Sequence, residues 1–232
     1  VYPKTTVNDL IQVVAFERRY NPVKAYLESC LSSQAPCPYF DRQATELLGI
    51  EAEDSDALTT NGRGVANEIL RRFFTAGVAW AKQSGCDVPW LPVFVGPQNV
   101  GKSAFFRYLT PPQASGPAWS TTVQQGISHL KDRPHILHAG WVVVLDEIDR
   151  YFKRKYVEEL KNLVSTASDY SARKYQKEAH YPRNFVLAGA TNTRDFLVDP
   201  TGNRRFLPIV VEGKVPSPED ARIRIIDLDR LQ

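Results

Sequence analysis

The chain of 232 residues lacks methionine, has only three cysteines and contains no long apolar run. The odd number of cysteines and the absence of a CxxC pair argue against a disulfide scaffold and against a zinc site, and they favour a reducing, cytoplasmic setting. The longest apolar runs are about as long as "WVVVL" at 141–145, and this length is far below the roughly 18 residues that a membrane-spanning helix needs. The first ten residues also lack the pattern of a signal peptide. We therefore expect a cytoplasmic protein without a membrane segment.

The missing methionine also bears on the ends of the chain. Because the sequence starts at Val1, we expect it to be a piece of a longer polypeptide whose other regions carry further activities. Hydrophobic residues make up 43% of the chain and charged residues 24%, which is the ordinary range of globular proteins and argues against disorder. The length leaves room for one large domain or for a core with a smaller appendage.

The distribution of charge is more informative than its total. The net charge of the whole chain is +3, which is too small to indicate a nucleic-acid partner by itself. Residues 151–183, however, contain eight lysine or arginine residues and four acidic ones, a net charge of +4. This one segment therefore carries more than the excess of the entire chain.

The spacing of apolar residues divides the chain into two parts. The first part shows helical spacing, with two short helices in 7–27 and a longer amphipathic helix that ends at Gly85. In the second part, runs of strand length alternate with helical or loop stretches, at 90–95, 141–145, 185–189 and 206–211. Buried runs with helical crossovers are typical of a mostly parallel sheet covered on both faces. We predict a small helical N-terminal region over 1–84 and an α/β core over 85–232.

The segment "GPQNVGKSA" follows the first strand candidate and has the spacing of a phosphate-binding loop. Gly96 and Gly101 allow backbone N–H groups to turn towards phosphate oxygens, Lys102 can reach the β- and γ-phosphates of ATP, and the Ser103 hydroxyl can bind Mg²⁺. The alternative is a chance glycine-rich turn, which the flanking strand and helix patterns disfavour. The predicted nucleotide-binding residues are Gly96, Pro97, Gln98, Asn99, Val100, Gly101, Lys102, Ser103 and Ala104.

Two adjacent acidic residues end the second strand candidate, in "WVVVLDEIDR". Asp146 can hold Mg²⁺ directly or through water, and Glu147 can orient and deprotonate an attacking water. The alternative is a plain strand end, but the phosphate-loop motif upstream favours a hydrolase. We interpret the nearby Asp149 as a solvated acid at the start of a helix.

Polar residues also follow the third strand candidate and precede the fourth. In "FVLAGATN", Thr191 and Asn192 lie where a side chain can contact the attacking water and sense the γ-phosphate, or where an ordinary turn would place them. In "DPTGNRRFLPI", Arg204 and Arg205 are candidates for an arginine finger that acts on the γ-phosphate of a neighbouring subunit. A pair of surface arginines that binds nearby carboxylates is the alternative.

The basic segment mixes positive charge with aromatic rings. This mixture of phosphate contacts and stacking surfaces tracks a single strand without reading its sequence, and Lys174 is the leading contact. An ordinary solvated hairpin is the alternative. The predicted nucleic-acid-binding residues are Arg173, Lys174, Tyr175, Lys177 and His180, with Tyr170 and Tyr181 beside them.

Together these motifs resemble the virulence-associated E family of phage and mobile-element replication proteins, whose ATPase is similar to the superfamily 3 helicases of the AAA+ class. The resemblance is carried by "GPQNVGKS", "LDEID", "LKNLVSTASDYSARKY", "YPRNFVLAGATN" and "DPTGNRRFLPI". It implies a P-loop ATPase core behind a helical N-terminal layer, assembled as a ring around nucleic acid, with six subunits as the expected number.

The resemblance also implies roles for individual residues. It implies phosphate and magnesium binding by Lys102 and Ser103, metal and catalytic carboxylates at Asp146 and Glu147, and a sensor at Asn192. It implies that one member of the arginine pair acts on the next subunit, and we slightly favour the first. The basic segment takes the place of the hairpin that lines the channel of superfamily 3 helicases. Regions outside this chain are expected to supply a primase, origin-binding or loading function.

The sequence is therefore most consistent with an ATP-hydrolysing, ring-forming helicase motor that uses ATP and Mg²⁺ and moves on single-stranded DNA during replication of a phage or mobile element. The charged and aromatic residues suit RNA as well as DNA. A second hypothesis is an ATP-dependent DNA-binding assembly or loading platform without unwinding. A third, a small-molecule kinase, fits the adjacent carboxylates and the late arginine pair less well.

Overall fold

The computed structural model describes residues 20–30, 64–110, 118–171, 179–197 and 203–211, together with six single residues before 64. The helices are α1 (Pro22–Cys30), α2 (Val65–Lys82), α3 (Lys102–Tyr108), α4 (Ile127–Asp132) and α5 (Val157–Ser165), and short 3₁₀ helices span Pro134–Ala139, Ile148–Phe152 and Asn203–Arg205. The strands are β1 (Leu91–Val95), β2 (Ser120–Val123), β3 (Val142–Leu145), β4 (Ser168–Ser171), β5 (Ala179–Pro182), β6 (Val186–Thr191) and β7 (Phe206–Val210).

Five of the strands form one sheet in the order β2-β3-β6-β1-β7, and every neighbouring pair is parallel. Strands β1, β3 and β6 are buried along their whole length, as expected of central strands covered on both faces. The α/β class and the parallel sheet predicted from the apolar runs are confirmed. The edge strand β2, "STTV", is largely polar and was not predicted.

Alternate residues of each strand supply two hydrophobic layers, one on each face of the sheet. On one face, Val142 and Val144 of β3 pack with the buried apolar residues of α2 and α3. On the other face, Val143 and Leu145 pack with apolar residues of α4 and α5. The helices therefore cover both faces of the sheet. The turns that follow the central strands lie at one edge of this packed sheet.

Helix α2 is amphipathic and ends at Lys82, three residues before the predicted end. Gly85 adopts φ +83° and its N–H donates to the carbonyl of Arg183, which explains the preference for glycine there. Among the described residues, no helix is long and apolar enough to cross a membrane. The boundary at residue 84 remains a prediction.

Strands β4 and β5 form a separate antiparallel hairpin between α5 and β6. The guanidinium of Arg183, which is 2% exposed, binds both carboxylate oxygens of Asp169 at 2.9 and 2.7 Å. His138 Nε2 lies 3.0 Å from the same carboxylate, and Arg183 also donates to the carbonyl of Leu163 in α5. The base of the hairpin is thus fixed to the core by buried polar contacts.

Candidate nucleotide-binding site

The glycine-rich loop lies between β1 and α3, at the carboxyl edge of the sheet. Gly101 and Asn99 both have positive φ, +89° and +63°, so the loop turns through backbone conformations that favour glycine. A Cβ added to Gly96 would lie 2.0 Å from the carbonyl oxygen of Val211, so only glycine fits there. The local backbone therefore requires both glycines of the sequence motif.

Lys102 is 7% exposed, and its ammonium lies among three oxygen atoms. It donates to the carbonyls of Gly96 at 2.8 Å and Pro97 at 2.6 Å, and to Oδ1 of Asn192 at 2.8 Å. Burial lowers the pKa of Lys102, and the negative charge of Asp146 partly opposes that effect. The contact with Asn192 joins residues 90 positions apart in the sequence.

Asp146, the first acidic residue after β3, is hydrogen-bonded to Ser103, which follows Lys102. The hydroxyl of Ser103 donates to Oδ1 of Asp146 at 2.9 Å. A hydroxyl and a carboxylate are oxygen ligands of the kind that Mg²⁺ prefers. The structure thus brings together two residues that the sequence predicted as metal ligands.

Glu147 has a different environment. Its backbone is left-handed, with φ 48°, and its side chain is 66% exposed. The guanidinium of Arg150 binds its carboxylate at 2.7 Å and also donates to the backbone carbonyls of Gln124, Asp146 and Glu147. Arg150 therefore fixes the acidic turn to the end of β2, a role that was not predicted.

The strand β6 ends between the glycine-rich loop and the acidic turn. Its last residue, Thr191, is 1% exposed and donates its hydroxyl hydrogen to Oδ1 of Asp149 at 2.8 Å. The interpretation of Asp149 as a solvated acid was wrong, because this side chain is half-buried and hydrogen-bonded to a residue 42 positions away. The exposed Asn192 follows directly and reaches Lys102.

These contacts follow from the order of the strands. The acidic turn, the turn after Thr191 and the glycine-rich loop follow β3, β6 and β1, which are neighbours in the sheet. Because the strands are parallel, all three turns lie at the same edge, where open α/β sheets bind ligands.

The arginine pair lies at the opposite edge. β7 runs parallel to β1 with Phe206 paired to Leu91 and Val210 paired to Val95, so the pair precedes the start of β7. The five residues of β7 separate it from the level of the glycine-rich loop, a distance of roughly 16 Å at about 3.3 Å per residue. Arg204 is exposed, whereas Arg205 donates from Nε to the hydroxyl of Ser165 at 2.6 Å. The structure therefore does not bring the arginines to the glycine-rich loop of the same chain.

On the hairpin, Tyr170 and His180 face each other across the two strands, with ring centroids 5.0 Å apart. Tyr170 is 68% exposed, and Tyr181 is 42% exposed. Arg183 is one of the eight basic residues of the segment 151–183, but its burial and its ion pair with Asp169 make it a structural residue. Four predicted nucleic-acid-binding residues lie outside the described residues: Arg173, Lys174, Tyr175 and Lys177.

Sequence reasoning missed the partners of the acidic turn. The i,i+3 spacing of Glu147 and Arg150 in "DEIDR" is a signal for an ion pair on a helical turn. The contacts of Thr191 with Asp149 and of Arg205 with Ser165 join distant segments and leave no such signal.

Comparison with solved structures identifies a similar fold. An apo structure of the NrS-1 C-terminal region, in its A form, matches with a TM-score of 0.51 and 15% identity, over 83% of this chain and 43% of that one. Two further apo structures of that region match with a TM-score of 0.49, at 16% and 17% identity, over 82% and 83% of this chain and 42% and 47% of theirs. The chain thus spans less than half the length of these proteins.

Comparison with sequences identifies the family. No curated protein matches the chain. Residues 41–228 match the virulence-associated protein E-like domain, which is well over half of the chain. The chain therefore belongs to the virulence-associated protein E-like family.

Proposed function

We propose that this chain is the P-loop ATPase of a ring-forming helicase, which moves along single-stranded DNA during replication of a phage or mobile element. The observation that carries the proposal is the convergence at Lys102. Its ammonium binds Asn192 from the turn after β6, and its neighbour Ser103 binds Asp146 from the turn after β3. Membership of the virulence-associated protein E-like family supports a role in replication.

The residues present fit ATP and Mg²⁺. The left-handed positions in the glycine-rich loop turn its backbone, as a phosphate-binding loop requires. Lys102 and Ser103 are the types that contact the β- and γ-phosphates and Mg²⁺ in such loops, and Ser103 with Asp146 would hold the metal. The metal, when bound, would neutralise charge on the phosphates.

The chain's own residues could then position water and protons. Glu147 would accept a proton from the attacking water, because its carboxylate is exposed and lies in the turn that also carries Asp146. Asn192 would orient that water from the neighbouring turn. Arg150 would hold the turn, since its guanidinium binds the backbone carbonyls of Asp146 and Glu147 as well as the Glu147 carboxylate.

The position of the arginine pair supports hydrolysis at a subunit boundary. An arginine at the far edge of the sheet would act on the phosphates of another copy rather than on those of its own chain, and Arg204 is exposed there. An arginine finger supplied from a neighbour typically accelerates hydrolysis by about three to five decades. We therefore propose Arg204 as the finger and a ring, with six subunits as the expected number, as the active form.

The hairpin of β4 and β5 would contact the single strand of DNA. Its exposed rings, Tyr170 and His180, offer a stacking surface, and the predicted cations Arg173, Lys174 and Lys177 would neutralise phosphates. RNA would meet the same chemistry, so both nucleic acids belong in the test.

ATP turnover with and without single-stranded DNA or RNA, at low and high salt, tests the proposal. We expect DNA to stimulate turnover, salt to weaken the stimulation, and Lys174→Ala to lose it while the surface control Lys24→Ala keeps it. Lys102→Ala should lose nucleotide binding, and Glu147→Gln should bind ATP but not hydrolyse it. Turnover that ignores DNA, from a chain that forms nucleotide-dependent rings, would instead indicate the assembly or loading platform.

A further inference from the structure

Thr191 is the point at which the three turns of the candidate site meet. It is the last residue of β6, is 1% exposed and lies beside Val95 of β1. Its backbone carbonyl accepts a hydrogen bond from the N–H of Gly96 at 3.2 Å. The end of β6 is therefore bonded to the first residue of the glycine-rich loop.

The hydroxyl of Thr191 makes two further contacts. It donates to Oδ1 of Asp149 at 2.8 Å, and it accepts the N–H of Thr193 at 3.1 Å. The first contact ties β6 to the 3₁₀ helix that follows Glu147. The second shapes the turn that contains Asn192. A hydroxyl can donate and accept at once, which valine, the side chain of nearest shape, cannot do.

We propose that Thr191 and Asp149 form a positioning pair, which sets the sensor Asn192 and the catalytic turn of Glu147 in register with Lys102. This inference rests on the proposed ATPase function. The hydrogen bonds of Lys102 go to Gly96, Pro97 and Asn192 and not to this pair, so each member acts through a neighbour. Thr191 acts through Asn192, and Asp149 acts through the helix that begins after Glu147.

The position of β6 rests on its backbone rather than on this pair. The parallel pairing of β6 with β1 and β3 already sets the position of the strand, through backbone hydrogen bonds that do not involve the hydroxyl. Loss of the hydroxyl therefore leaves the strand in place and frees the turn after it. Glu147 has left-handed backbone, a conformation that persists where its surroundings hold it, and the bond between Asp149 and Thr191 anchors the 3₁₀ helix that begins directly after it.

Steady-state ATP turnover of Thr191→Val and Thr191→Ser separates positioning from binding. For Thr191→Val we expect kcat to fall roughly tenfold, with KM for ATP changed by less than about twofold, because a lost buried hydrogen bond misplaces groups that act in the transition state. Thr191→Ser keeps the hydroxyl and should recover most of kcat. Thr110→Val is the matched control, since Thr110 is also buried and its hydroxyl donates to the carbonyl of Arg107.

Coupling between the two partners is tested by a double variant. Asp149→Ala should lower kcat as Thr191→Val does, and the double variant should be no slower than the slower single variant. If the losses of kcat in the two single variants multiply in the double variant, or if Thr191→Val has an unchanged kcat, the proposed pairing is wrong. Denaturant unfolding of each variant checks folding, and a Thr191→Ser protein that folds but stays slow would also overturn it.

A second readout does not depend on ATP hydrolysis. Acylation of Lys102 by an amine-reactive reagent, followed by mass spectrometry, reports how firmly Asn192 and the two loop carbonyls together hold its ammonium. We expect labelling of Lys102 to be several times faster in Thr191→Val than in Thr191→Ser, with Lys24 as the internal reference. Equal labelling overturns the inference, whereas faster labelling in a protein without turnover supports the pair and rejects the ATPase.

Discussion

Arg205 donates from Nε to the hydroxyl of Ser165 at 2.6 Å, and this bond joins the arginine pair to the last residue of α5. The adjacent Arg204 is exposed. Two neighbouring residues of the same type therefore have different surroundings. Arg204 is open to solvent, whereas Arg205 is bonded within its own chain.

Exchange of subunits tests the assignment of Arg204. Arg204→Ala should lower turnover of the assembled protein by about three decades or more, by the usual effect of an arginine finger. A mixture of Arg204→Ala with Lys102→Ala should regain activity, because each chain supplies what the other lacks at a shared site. Turnover is measured across mixing ratios at a concentration where rings form.

Arg205→Ala and Ser165→Ala are the matched controls for this experiment. Both remove one partner of the internal hydrogen bond, so we expect a loss of stability of about 1 kcal/mol and little loss of turnover. If Arg205→Ala loses turnover and regains it on mixing while Arg204→Ala does not, the roles of the two residues are reversed. No recovery from either mixture would contradict a shared site.

Arg150 provides a second prediction, on the acidic turn. Its guanidinium contacts three backbone carbonyls and the Glu147 carboxylate. Arg150→Ala should lower kcat roughly tenfold, because the turn loses its connection to β2, while nucleotide affinity stays close to that of the wild type. Arg150→Lys should recover only part of the rate, since an ammonium lacks the planar fork. A variant with faster basal turnover would show that Arg150 restrains Glu147 instead.

The buried ion pair at the base of the hairpin provides a prediction about stability. Burial raises the pKa of Asp169, but the hydrogen bonds from His138 and Arg183 outweigh it, and the pKa lies below its ordinary value of 3.8. Asp169→Asn leaves the buried guanidinium uncompensated, so we expect a loss of about 3 kcal/mol in the free energy of unfolding at neutral pH. Urea unfolding measures it, with Glu28→Gln, from an exposed pair with Lys24, as the control.

The pH dependence of this pair has a definite sign. Because the folded pKa of Asp169 is lowered, its contribution is complete at neutral pH and is lost as the pH falls through the folded pKa. The difference in stability between wild type and Asp169→Asn should therefore shrink below about pH 4. Glu68, whose pKa is held at about 2 by Arg71 and Arg72, is common to both proteins, so its titration cancels from the difference. A difference that is constant down to pH 2.5 would contradict the charge-based explanation.

The parts of the fold that the sequence predicted are those with a simple physical signature. Strands β1, β3 and β6 were recognised because burial on both faces makes apolar runs, and the edge strand β7 because its residues are apolar even though two of them are exposed. The glycine-rich loop was recognised because positive φ requires particular residues. Strand β2 was missed because an edge strand with polar residues lacks that signature.

The candidate site was predicted as a set of motifs but not as a network. Parallel strands bring the ends of β3, β6 and β1 to one edge, so the proximity of Ser103 and Asp146 followed from topology. The contact between Thr191 and Asp149, by contrast, depends on which rotamers meet across two turns. No periodicity encodes such a contact, and Asp149 was therefore assigned to solvent.

The hairpin offers a test that separates stacking from charge. Tyr170 is 68% exposed and lies against His180 on one face of the hairpin, whereas Asp169 and Tyr181 pair on the other face. If Tyr170 stacks on a base, Tyr170→Ala should weaken binding of a labelled oligothymidine about tenfold, without changing the salt dependence, because stacking releases no counterions. Lys174→Ala should instead reduce the slope of log K against log salt by about 0.7.

The matched control for stacking is Tyr20→Ala, since Tyr20 is 75% exposed and lies before α1, outside the hairpin. Fluorescence anisotropy at four or more salt concentrations gives both the affinity and the slope for each variant. Equal affinities for Tyr170→Ala and Tyr20→Ala would remove the stacking surface from the proposed interface. A reduced slope in Lys174→Ala alone would then indicate that the hairpin holds the strand through its phosphates, because each contact with a phosphate releases counterions and a stacked ring releases none.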